Sequence, residues 1–296
     1  MNPGSKQPES AGLPAARQIT DEELHEHPQA DPLAPAAALP GIDVTAIDSP
    51  DAETARYALA LGDDALILAQ RLGELVSRAP ELEEDVALAN IGLDNLGQAR
   101  ALLQYAGRSD SRSEDELAYF RDEAEFTSSH LVEQPNGDFA EVIARLLLVA
   151  LYQRELFGQL VNSTDPFLAA VAAKAIKEVR YHLEHAATWT IRLGDGTDES
   201  HDRMQAALAS RWPYLDELFS NAPFEELIDR GVAVDIAARR GSFDSALAAV
   251  LEEAALERPE APAAMARGRW GQHSQHLGYI LAEMQVLGRA HPGATW

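Results

Sequence analysis

With no cysteine in the chain, any metal it holds must be met by its nine histidines and 48 acidic residues. Ligands three or four residues apart share a helix face. His182 has two such neighbours, Glu178 four residues before it and His185 three residues after it, and either pair could supply half of a metal site. The same spacing occurs in His273-x-x-His276, Asp198-x-x-His201 and Glu22-x-x-His25. The first two stand near helix starts, where capping is the simpler reading, or for His273 and His276 an interface role. The third lies in a polar segment ahead of any packed helix.

Asn95 and Gln98 are also three apart and interrupt an apolar line. Neutral amides are weak ligands for a hard metal pair but can hydrogen-bond to one another or to water inside a core. A carboxylate-bridged metal pair in a helical bundle takes a Glu from each of two helices and Glu-x-x-His from each of the other two. No helix assigned to the core here carries Glu-x-x-His or Asp-x-x-His. Lys174 and Lys177 flank Glu178 and read as a charged face with local ion pairs, or as a contact for an anionic partner. Nucleophilic catalysis has no Gly-x-Ser-x-Gly and no thiol to rest on.

The elements that must position these residues are helices. Ala58, Leu61, Ala65, Leu68, Leu72 and Leu75 alternate at three and four, which predicts a helix over about 52–78. Pro80 opens a second, with acidic residues in its first turns, running to about Gly107 on the line Leu88, Ile91, Asn95, Gln98, Leu102, Tyr105. A second apolar line on it (Leu82, Val86, Ala89, Leu93, Leu96, Leu103) predicts that much of its circumference is buried and that it is central. A shorter helix is expected near 114–128. Asp138 and Glu141 form a capping box for a third long helix, with Phe139, Ile143, Leu146, Ala150, Gln153, Phe157 and Leu160 on one face. Asp165-Pro166 caps a fourth carrying Ala172, Ala175, Val179, His182, Ala186, Trp189 and Leu193. Shorter helical segments near 198–220, 234–257 and 272–290 are expected to pack around this bundle, and no segment alternates at period two.

Composition narrows the function classes. Twenty-four basic against 48 acidic residues leave a formal net charge of −24, a field that repels nucleic acid and anionic membranes. No apolar leader and no membrane-length stretch is present, so a cytoplasmic location is the default. Residues 1–50 hold eight of the sixteen prolines and read as a disordered Pro/Ala-rich tail ahead of a helical domain over 51–296.

Several motifs in order then carry a resemblance. Leu61-Gly-Asp, Arg78-Ala-Pro, Ala89-Asn-Ile-Gly-Leu-Asp, Gly97-Gln-Ala-Arg, Val132-Glu-Gln-Pro-Asn-Gly, Ala175-Ile-Lys-Glu-Val-Arg-Tyr-His and Leu281-Ala-Glu-Met-Gln span nearly everything outside the tail. Together they resemble the C-type subunits of bacterial phenylacetyl-CoA 1,2-epoxidases. The resemblance implies an all-α, ferritin-like four-helix bundle with additional C-terminal helices. It also implies a place in a multicomponent, NADPH- and O2-dependent monooxygenase, in which a related A-type subunit holds the di-iron centre and a reductase supplies electrons. Set against that catalytic relative, the ligand positions fall at Ala65, Asn95, Gln98, Ala150, Val179 and His182, so only the histidine is retained. No cofactor in this chain, no catalytic residue and a structural role beside the catalytic partner are the resulting expectations. The rivals are a metalloenzyme built on His182, Glu178 and the C-terminal segments, and a stand-alone helical binding protein.

Overall fold

The computed structural model describes residues 47–294, so the expected tail, with Glu22 and His25, lies almost wholly outside the described residues. Among the described residues the chain is all-α, its only bridge an isolated Arg267–Gln272 pair. The long helices are α1 (Ala52–Gly73), α2 (Leu82–Gly107), then, after the short α3 (Glu114–Tyr119) and α4 (His130–Glu133), α5 (Phe139–Leu160) and α6 (Pro166–Gly194). Smaller helices follow: α7 (Asp198–Arg211), α8 (Leu215–Leu218), α9 (Glu225–Asp229), α10 (Arg240–Glu253) and α11 (Gln275–Ala290).

Helix starts follow local chemistry. The Asp51 carboxylate accepts from the Thr54 amide at 2.8 Å, Asp165 accepts from Leu168 at 2.9 Å ahead of Pro166, and Asp138 with Glu141 closes the expected capping box. The four long helices contribute to one apolar core, with α1 lying along α2 and α5 along α6. Gly62 permits the close approach of α1 to α2, since a Cβ there would stand 3.0 Å from Leu103. α7 and α10 lie against α5 and α6, while α11 covers α1 and α3.

Three expectations are corrected. The helices buried around most of their circumference are α1 and α5, whereas α2 leaves Leu82, Val86 and Leu93 exposed on its second apolar line. α1 stops at Gly73 rather than near residue 78, the chain leaving through a turn with Ser77 at positive φ. The helix expected over 114–128 breaks after Tyr119, because Arg121 turns inward to form a bidentate pair with Asp63 of α1, at 2.5 and 3.1 Å, with Phe126 under its guanidinium.

Candidate functional site

The layer holding the ligand-like positions is set by α1, α2, α5 and α6. Ala65, Ala150 and Val179 are buried and apolar, with no donor atom to offer. Asn95 turns its amide nitrogen back onto the Ile91 carbonyl of its own helix at 2.8 Å, and its oxygen faces Gln153 at 3.5 Å. Gln98 donates to Glu178 at 3.0 Å, and Lys174 pairs with the other oxygen of that carboxylate at 3.2 Å. The Gln98 carbonyl oxygen is buried without a protein partner.

His182 is buried, and its Nε2 meets the Asp94 carboxylate at 3.0 Å. His185 faces Glu84 at 3.4 Å, and burial, ahead of any gain from Glu84, holds its imidazole below the ordinary histidine range. Glu178 and His182 therefore do not converge: each turns to a different α2 residue. These polar pairs bridge α2 and α6, which approach one another less extensively than the pairs α1/α2 and α5/α6. A carboxylate-bridged metal pair needs several anionic ligands to offset its charge. Two amides, three hydrocarbon side chains and one imidazole already engaged by Asp94 do not fit that requirement. Chemically the layer is a hydrogen-bonded seam. Asn95→Leu should accordingly change stability by less than about 1.5 kcal/mol, read from urea unfolding midpoints.

The stronger polar chemistry lies elsewhere, around Glu133. This carboxylate is enclosed and accepts from His273 Nδ1 at 2.6 Å, Ser274 N at 3.0 Å, Ser274 Oγ at 2.8 Å and Ser128 Oγ at 3.2 Å. His273 Nε2 faces the Phe126 carbonyl at 2.8 Å. Both partners of the ring, a carboxylate and a carbonyl, are acceptors, an arrangement that favours the imidazolium with both nitrogens donating. Burial alone would lower its pKa, but the Glu133 hydrogen bond and charge, with the Phe126 carbonyl, raise it above the ordinary histidine value. The His273 side chain, one of the two expected interface candidates, has no exposure in the chain by itself and bonds inside the molecule. His276 is half-buried, and burial lowers its pKa.

His130, Glu133 and His273 bring one nitrogen or oxygen each within 4.8 Å of one another. Here each is engaged by protein groups, His273 by Glu133 and the Phe126 carbonyl and His130 Nε2 by the Gln272 carbonyl at 2.7 Å. The same segment continues as Gln134-Pro135-Asn136-Gly137, held by three arginines. Arg71 donates to the Glu133 carbonyl at 2.6 and 3.1 Å, Arg145 to Gln134 O at 2.6 Å and to the Asn136 side chain, and Arg211 to Pro135 O at 2.7 Å. Burial, followed by the charges of Arg211 and Arg71, pulls the Arg145 pKa below its usual value. Gly137 sits at φ +62°, where a Cβ would overlap the Glu141 carboxylate.

Residue spacing does not single out Glu133, whose only signal in the sequence is the Val132–Gly137 motif, and it gives no sign of Arg71, Arg145 or Arg211. Asp198 and His201 follow the helix-start reading: Thr197 caps α7, and His201 Nδ1 meets the Gly194 carbonyl at 2.8 Å, closing the end of α6. Lys174 also follows its reading as a local ion pair, and Lys177 is exposed.

Residues 43–296 match the family model described as "Phenylacetic acid catabolic protein". The chain is 48% identical over 242 residues to the C-type subunit of the 1,2-phenylacetyl-CoA epoxidase of Escherichia coli (strain K12), a match covering 81% of this chain and 98% of that relative. The motif order, the all-helical core and the near-complete coverage in both directions agree, and the chain belongs to the phenylacetic acid catabolic protein family.

Proposed function

We propose that this chain is the C-type subunit of a phenylacetyl-CoA 1,2-epoxidase acting in aerobic phenylacetate degradation, on a ferritin-like four-helix frame. In this reading it performs no chemistry of its own. It pairs with a catalytic A-type subunit, stabilises it and helps shape the complex, while that partner supplies di-iron and a reductase brings electrons from NADPH to activate dioxygen. The carrying observation is the composition of the ligand-like layer, whose six positions hold no carboxylate and one imidazole, His182, which is bonded to Asp94. The 48% identity to a relative that bears the name of an epoxidase component supports the pathway.

Several features fit a water-soluble cytoplasmic assembly without nucleic-acid or membrane partners. Among the described residues no helix is long and apolar enough to cross a membrane, and the net charge is −24. Two measurements test the reading together. The purified chain should hold less than about 0.1 iron or manganese per chain by elemental analysis, where a filled carboxylate-bridged site holds a pair. Epoxidation of phenylacetyl-CoA by the reconstituted complex should be lost when this chain is omitted. Stoichiometric metal in the isolated chain would favour the metalloenzyme reading, and undiminished turnover without the chain would leave it no place in the enzyme.

A further inference from the structure

α2 carries two apolar lines on opposite sides. The line Leu88, Ile91, Asn95, Gln98, Leu102, Tyr105 faces the core and is buried throughout. The second, Leu82, Val86, Ala89, Leu93 and Leu96 at alternating four and three spacing and then Leu103, runs on the face turned roughly half a turn away, at about 100° per residue. Its first three turns are uncovered within the described chain, with Leu82 74% exposed, Val86 53% and Leu93 64%, while Leu96 packs against the core and Leu103 is buried against α1. Ala89 and Leu96 between them are half-buried. Large side chains at this spacing over about four turns are what one helix presents to another in knobs-into-holes packing. Scattered exposed leucines need no explanation, whereas an aligned row on one long helix does.

Charge selects the occupant. Glu81, Glu83 and Asp85 border the first turns of the line, and the chain as a whole is at −24. A second copy of this chain would bring like charge to like charge. A foreign helix with arginine or lysine beside its own apolar row would be matched in both respects. We infer that the outer face of α2 is the docking surface for an amphipathic, basic-flanked helix of the catalytic A-type subunit. This assignment rests on the reading of the chain as an epoxidase component.

The test uses the full-length chain co-expressed with a tagged A-type partner, with affinity measured by biolayer interferometry at two salt concentrations. The wild type should co-purify and bind more weakly at the higher salt. The double variant V86E/L93E should bind at least tenfold more weakly. Its thermal midpoint should stay near the wild-type value, since both side chains already meet water. L82E, at the exposed first turn, is the milder companion should the double variant unfold, and should also weaken binding. Y279E/V286E, on the exposed face of α11, should bind as the wild type does.

Two results separate the levels of the claim. A wild-type chain that never associates with the A-type partner removes the epoxidase reading and this surface with it. A wild-type chain that associates, with V86E/L93E and L82E binding within twofold of it, overturns the surface alone. A wild-type chain that dimerises by itself, and is rendered monomeric by V86E/L93E, also overturns it, because the row then meets its own copy.

Discussion

Glu133→Ala should destabilise the protein by about 3–5 kcal/mol, the cost of removing one member of a buried ion pair and stranding the other. Four donors converge on this carboxylate, from Ser128, His273 and Ser274, and the last two belong to the segment that leads into α11. Hydrogen exchange should therefore show α11 loosening before the four long helices do. A uniform loss of protection would show instead that the pair is no local clasp.

The pH dependence has a definite sign. His273 has a raised pKa when folded, so its stabilising charge is fully present below the unfolded value of about 6.5 and is lost as pH rises through the higher folded value. Glu133 and, at longer range, Asp63 face this imidazolium and favour it, against the cost of burial. The stability gap between the wild type and His273→Gln should thus be wider at pH 6 than at pH 9, measured by urea unfolding. A gap that grows with pH would mean that the neutral ring is the folded form.

Arg269→Ala is expected to cost a similar amount, again about 3–5 kcal/mol. Its guanidinium grips both oxygens of Asp64 at 2.5 and 3.1 Å and also donates to the Thr127 and Ala60 carbonyls at 2.7 and 3.1 Å. Asp64 and Asp63 sit side by side on α1, and each is met by an arginine from outside the long helices, Arg269 or Arg121. Removing Arg269 leaves the Asp64 carboxylate buried with only the Ser129 amide. Arg269→Ala combined with Asp64→Leu should recover part of the loss, because an apolar pair leaves no stranded charge. Equal instability of the single and double variants would show that the backbone contacts of Arg269 matter more than its charge.

The long helices were legible because their information is local. Apolar spacing of three and four, with Asp51, Asp138 and Asp165 as caps, sets where each begins and which residues turn inward. The six ligand-like positions all lie on those apolar lines, but spacing did not single them out: the resemblance to a catalytic relative did. Which residues His182 and Gln98 bond to was not legible, since Asp94 and Glu178 face them from another helix, 88 and 80 residues away in sequence.

The sequence by itself determined the helical class and the long-helix starts, both of which depend on residue type and short spacing. Tertiary structure decided the rest. α2 shows the limit most clearly: it carries two apolar lines, yet one is core throughout and the other is surface over its first three turns, because burial depends on how many neighbours the fold supplies. The fate of His273 was likewise decided at a distance, by the arrival of Glu133 from 140 residues away. A histidine with one acidic neighbour can be a ligand, a cap or half of an ion pair, and only the placement of its second nitrogen against the Phe126 carbonyl selects among them.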